Sequence, residues 1–172
     1  IQNIISGCTD TNNLVIGDTF GGGIIFYLDG AGTGLIAAPI DQAGYGAAGA
    51  YWGCNYFDVP GADGTAIGTG VQNTVDIVNA GCGIAADLCA NLILGGFSDW
   101  FLPSKDELNE MYLNIGQGNA LGLGNIGGFA NNGYWSSTEY DFFNAWNQYF
   151  FNGYQDDFNK DYSGVVRAVR AF

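Results

Sequence analysis

The chain contains no histidine. That absence removes Ser-His-Asp and Cys-His nucleophile systems and every His-ligated zinc, copper or iron site, because each needs an imidazole as base or ligand. Cations are nearly as scarce. Lys105, Lys160, Arg167 and Arg170 stand against 17 acidic residues, for a formal net charge of -13 over 172 residues. A field of that sign repels phosphate backbones, anionic lipid and sulfated glycans, so nucleic acid is not an expected partner. No continuous apolar run reaches the roughly 18 residues that a membrane span needs, and no membrane insertion is expected. Charge of either sign is low, at 12%. Asn, Gln, Ser, Thr, Gly and Tyr must then build the surface, which fits an extracellular or cell-surface setting.

Cysteine is sparse and even in number: Cys8, Cys54, Cys82 and Cys89, with no CxxC spacing. Zinc-ribbon and thioredoxin chemistry are thereby set aside, while disulfides stay open. Of the pairings available, Cys54 with Cys82 and Cys8 with Cys89 is favoured, since Cys82 and Cys89 both fall at or in one predicted helix and would be awkward partners. Two buried free thiols are the alternative.

Residues 1–15 show little periodicity and read as a lead-in segment or linker; residues 16–172 read as one domain. The runs 24–28 and 35–39, joined through Asp29-Gly30, predict a β-hairpin. The glycine-rich stretch 29–34 lies between its strands and is a turn rather than a nucleotide loop. Residues 44–70 hold too many breakers for a regular element and predict a long ordered loop. Within it, 64–70 precedes a helix and offers amides to an anion, with no Lys or Arg nearby in sequence. Val71, Val75 and Val78 then mark one face of a short amphipathic helix stopped by Gly81, and residues 84–94 repeat the pattern with Leu88 and Leu92.

The clearest local signature is Ser104-Lys105-Asp106-Glu107, a capping box with Asp106 adding negative charge at the positive end of the helix dipole. Leu108, Met111, Tyr112 and Ile115 line one face before Gly116 ends the helix. Asp106, Glu107 and Glu110 resemble paired glycosidase carboxylates, but capping explains the first two and no acid/base pair remains. Strands are expected at 134–138, 145–151 and 165–172. The order of elements argues an α+β fold, with a mostly antiparallel sheet, two or three short helices and long ordered loops. Arg167 and Arg170 fall on opposite faces of the last strand, so at least one is expected to point inward toward a carboxylate, with Asp99 or Glu107 as candidates; two exposed arginines are the alternative.

The segment Gly95-Gly96-Phe97-Ser98-Asp99-Trp100-Phe101-Leu102-Pro103-Ser104-Lys105-Asp106-Glu107-Leu108 resembles the C-terminal domain family of bacterial collagen-like adhesins. Gly21-Gly22-Gly23-Ile24-Ile25-Phe26-Tyr27, Leu35-Ile36-Ala37-Ala38-Pro39, Tyr134-Trp135-Ser136-Ser137-Thr138-Glu139 and the closing Val166-Arg167-Ala168-Val169-Arg170-Ala171-Phe172 extend the likeness in family order. The resemblance implies a C-type-lectin-like fold, akin to that of formylglycine-generating enzymes and of variable proteins diversified by retroelements. It also implies a binding surface carried by the last strands and their loops, and an adhesive role on stalks or fibres, some as trimers. Two things do not carry over. Sulfated-glycan binding wants a basic face that this acidic chain lacks, and formylglycine formation needs a reactive cysteine pair that nothing here marks.

The interval between the Trp-Ser-Ser and Val-Arg-Ala-Val-Arg motifs, residues 139–163, carries the candidate ligand-binding residues: Tyr140, Asp141, Phe143, Asn144, Trp146, Asn147, Tyr149, Asn152, Tyr154, Asp156, Asn159 and Tyr162. Tyr and Trp give large contact area at low entropy cost, and Asn and Asp give adaptable hydrogen bonds. Alternation places Trp146, Gln148 and Phe150 on one side of a strand and Asn147, Tyr149 and Phe151 on the other, so part of this set serves the core or an assembly interface. Asp156, Asp157 and Asp161 are hard oxygen ligands close in sequence, which admits calcium; a solvated acidic turn is the other reading. No other cofactor and no catalysis is expected. The function expected is an adhesin-type domain recognising a glycan or surface protein. The alternative is a structural subunit of a surface fibre, assembled as a homo-oligomer through the same face.

Overall fold

The computed structural model describes residues 13–172. The expected hairpin forms from β2 (Gly23–Leu28) and β3 (Gly34–Ala37), with the short β1 (Thr19–Phe20) on one side and the closing strand β9 (Val169–Ala171) on the other. All pairings in this sheet are antiparallel, and Ala37 faces Val169, so the closing strand lies against the N-terminal hairpin. Asp29 closes the hairpin turn: its carboxylate accepts the Ala31 and Thr33 amides and the Thr33 hydroxyl. The glycine stretch 29–34 is therefore a turn held by its own aspartate.

A second antiparallel sheet has the order β5 (Gly133–Glu139), β6 (Asn144–Tyr149), β7 (Gln155–Asn159), and a two-stranded piece pairs β4 (Ala50–Tyr51) with β8 (Ser163–Gly164). Strand β7 replaces the acidic turn expected at 156–161. Its pairing with β6 from Gln148↔Gln155 to Asn144↔Asn159 explains why: the tight turn at 150–153 delivers the chain back against β6, and the register outweighs the poor strand propensity of Asp.

Helices α1 (Gly70–Ala80), α2 (Ile84–Ala90) and α3 (Lys105–Ile115) complete the described residues, giving a mixed α+β fold. None of them is long and apolar enough to cross a membrane. Helix α3 begins as expected. The Ser104 hydroxyl accepts the Glu107 amide, Glu107 accepts the Ser104 amide at 2.7 Å, and Leu108, Met111 and Ile115 are buried.

Helix α1 also begins and ends near its expected limits, with Gly81 left-handed at φ 72°, but of its three valines only Val78 packs against the core. Val71 and Val75 are exposed, while Asn73, Thr74 and Ile77 are buried. The polar pair goes inside because it is fully used: Asn73 donates to the Gly64 carbonyl and the Ser137 hydroxyl, and Thr74 bonds both the Gly70 carbonyl and the Leu102 amide. Helix α2 is shorter than expected and buries Ala85, Ala86 and Cys89 instead of Leu88, which is exposed.

Cys54 and Cys82 form a disulfide, as favoured. Cys89 is buried without a disulfide partner among the described residues, and burial pushes its thiol well up from the usual range. The expected Cys8 with Cys89 pairing lies outside the described residues. Both arginines point inward. Arg170 meets Asp99 at 2.5 Å, and Arg167 meets Asp41 at 2.6 Å while donating to the carbonyls of Ala38 and Gly127. Glu107 partners neither.

Candidate ligand-binding face

The register of the β5-β6-β7 sheet divides the candidate residues by face. Tyr149 lies opposite Gly133 on β5, and on the other side its amide donates to the Tyr154 carbonyl. Counting by twos along β7 places Tyr154, Asp156 and Phe158 on the same face as Tyr149, Asn147 and Ala145. At the Ala145 end this face merges with the core, where Ala145 and Trp135 are fully buried. At the Tyr149 end it opens.

Asn147 belongs to the closed part. It is only 4% exposed, and a Cβ at Gly133 would sit 2.4 Å from its Oδ1, so it fills the space that Gly133 leaves. Its place in a contact surface is corrected to framework. The open part carries a run of rings. Phe151 lies 5.5 Å from Tyr149, Tyr149 lies 6.4 Å from Phe158 and Phe158 lies 5.0 Å from Tyr162, with Tyr154 exposed beside them. Burial raises the Tyr149 phenol above its usual range, with the Asp156 carboxylate and Tyr45 adding to the shift. The β6–β7 register puts Asp156 on the same face as this ring, opposite Asn147.

Trp146 faces the other way, toward α3. Lys105 Nζ sits 3.3 Å above its ring and Tyr140 meets it edge-on at 5.3 Å. Gln148 and Gln155 on this face tie the sheet to α3 through Asn109 and the Lys105 carbonyl. The alternation expected for 145–151 therefore does not separate a dry side from a wet one, because each face is covered by a different neighbour over part of its length.

A third group forms the tip. Tyr56 meets Phe142 and Phe143 in T-shaped contacts at 6.2 and 5.4 Å, all three rings exposed. Asp141 and Asn144 build the β5–β6 turn here. Burial alone would raise the Asp141 carboxyl, but the Phe143 and Asn144 amides bonded to it hold it below the usual range. What fixes the tip is Lys160, fully buried, whose Nζ lies 2.5 Å from Glu139 and donates to the carbonyls of Phe57 and Phe142. The Glu139 carboxylate in turn accepts the Val59 amide.

Asn152 and Asn159 spend their side-chain oxygens on the Tyr154 and Asp161 amides, so both are turn-formers at the rim of the Tyr149 face. Asp156 and Asp157 alternate across β7, and Asp161 bonds Asn55 in the following turn. No group of three acidic, His or Cys side chains converges among the described residues, so the trio put forward for calcium is not brought together.

Tyr45, Tyr51, Tyr56 and Phe57, all exposed, come from the stretch 44–70, expected as loop throughout but containing β4 because Ala50 and Tyr51 pair with Gly164 and Ser163, and were absent from the expected set. The signal was present as four large aromatics among glycines, residues whose exposure a packed loop does not require. The loop 64–70 does bind an anion, but an internal one. Glu107, wholly buried, accepts the Gly68 amide at 2.7 Å as well as that of Ser104. Burial raises its carboxyl above the ordinary 4.5 against the pull of these amides.

Residues 54–170 match the family model described as the Lcl C-terminal domain. No curated protein matches the chain.

Proposed function

The chain belongs to the Lcl C-terminal domain family, and from that premise we propose that it is an adhesin-type domain of the bacterial surface, recognising a glycan or surface protein through the Tyr149 face. The observation that carries this reading is the run Phe151, Tyr149, Phe158 and Tyr162 flanked by Tyr154 and Asp156, in which Phe151, Tyr154 and Tyr162 are exposed and Tyr149 and Phe158 half-buried, with Phe158 anchoring the run on the core. Contact through such rings and adjacent carboxylates needs no basic patch, which matches the acidic charge. The C-type-lectin-like architecture belongs to the same proposal; the pairing of the N-terminal hairpin with β9 and the long loops around β5–β7 support it. The disulfide fits an extracellular location. The reading is of a binding protein, without catalysis and without calcium.

The test is a glycan and surface-protein binding screen of wild type against Tyr149→Ala and Tyr154→Ala. Lost binding by folded variants supports the face, and unchanged binding removes it.

A second reading, a subunit of a surface fibre, is favoured by a different surface. Ile40, Ile84, Leu88 and Ile93 border a groove of about 640 Å³, and Val71 and Val75 of α1 border another of about 330 Å³. These apolar stripes, rather than the aromatic interval, are where assembly would bury area.

A further inference from the structure

We propose that the Tyr149 face recognises an alkylammonium group, with aromatic rings as its walls and Asp156 as its counter-ion. The inference rests on the reading of this face as a ligand surface and names the chemistry the ligand presents. Successive rings are turned through 55°, 84° and 55° from Phe151 to Tyr149, Phe158 and Tyr162. Rings so turned present their faces in several directions, so that a compact group can meet more than one of them. Their faces carry negative quadrupole, which attracts a compact, weakly hydrated cation.

Charge complementarity points the same way. The chain has four cations, and each is taken: Lys105 by Trp146, Lys160 by Glu139, Arg167 by Asp41 and Arg170 by Asp99. Asp156 joins none of these pairs; among the described residues its carboxylate accepts only the amide of Asp157, next to it in the chain. A half-buried carboxylate beside Tyr149, without a cation of its own, is a place where an external cation gains both the charge and the rings. A primary ammonium is more strongly hydrated than a quaternary one, so the methylated group is the better fit.

The experiment titrates the intact chain, by NMR, with choline and with its neutral isostere 3,3-dimethylbutan-1-ol. Choline is expected to shift the ring signals of Tyr149, Phe158 and Tyr162 and to bind at least about tenfold more tightly than the neutral isostere, as a desolvated cation–π site would give. Asp156→Asn and Tyr162→Ala should each weaken choline by about fivefold or more, whereas Asp63→Asn, an equal change of net charge on an exposed loop, should leave it unaltered. Equal binding of the two probes, an equal effect of Asp63→Asn, or no shift at these rings would overturn the proposal. That failure would leave the adhesin reading to its own screen, which does not depend on a cationic ligand.

Discussion

Lys160 Nζ lies 2.5 Å from Glu139 Oε1 with the lysine side chain fully withdrawn from solvent and the glutamate nearly so. The pair joins the end of β5 to the residue after β7 and, through the carbonyls of Phe57 and Phe142, holds both aromatic loops of the tip. The Lys160 ammonium also sits 4.9 Å from the Trp52 ring, which packs in the core.

Removing one partner leaves the other charged and buried. Lys160→Ala should therefore lower stability by about 3–5 kcal/mol in urea unfolding. Lys160→Met combined with Glu139→Gln should recover part of that loss, because no uncompensated charge remains and the Gln oxygen still accepts the Val59 amide. A double variant as unstable as the single one would contradict the pairing.

The disulfide closes a loop of 28 residues between Cys54 and Cys82. Chain-entropy arguments assign about 3.5 kcal/mol to a loop of this length. For a domain of this size that is about 10 °C in Tm, read by comparing thermal unfolding with and without a reducing agent. If reduction leaves Tm unchanged, the crosslink does not constrain this loop.

Glu107 makes stability depend on pH in an unusual direction. Its folded carboxyl is raised above the ordinary 4.5 by burial, so folding takes up a proton. The stabilisation is present below the unfolded value and is lost as pH rises through the folded one. Glu107→Gln removes this dependence and also leaves one of two amides without an acceptor, a cost of about 1–3 kcal/mol. The deficit of the variant relative to wild type should therefore shrink as pH rises above about 4.5; a deficit that grows would contradict the assignment.

The Ser104 cap offers a local check. Ser104→Ala should cost about 1–2 kcal/mol, toward the upper end because the same hydroxyl donates to the Ala66 carbonyl at 3.0 Å. Urea unfolding of the variant measures it.

This cap was also the part of the fold most legible in the sequence, because Ser104 and Glu107 satisfy each other within one turn and need nothing from outside. The hairpin at Asp29 was legible because it too is local; of the arginines only the Arg170 pairing with Asp99 was among those expected, and the Asp41 partner of Arg167 was not. Helix α1 was legible in its ends but not in its orientation. Its valines form a regular stripe, yet Asn73 and Thr74 are the residues whose hydrogen-bond partners lie inside, and two of those partners, Leu102 and Ser137, are far along the chain. Strand β7 was hidden by Asp156 and Asp157, which discourage a strand reading until the register with β6 is known. The candidate site was legible as an interval but not as a face. Composition put Trp146 and Tyr149 together, whereas the pleat sends one to Lys105 and the other toward the Tyr154 side, and Tyr56 joins the tip only through tertiary contact.

The central claim is that the Tyr149 face, and not the tip or the Trp146 side, makes the contact with ligand. The most direct measurement is a binding screen over glycans and surface proteins comparing wild type, Tyr154→Ala and Phe143→Ala, with unfolding curves confirming that each variant is folded. Tyr154 is exposed on the Tyr149 face and Phe143 is exposed at the tip. The account predicts that Tyr154→Ala loses at least about tenfold in binding, as expected for an aromatic contact of about 1.4 kcal/mol or more, while Phe143→Ala binds as wild type does. Binding lost with Phe143→Ala and kept with Tyr154→Ala would contradict it.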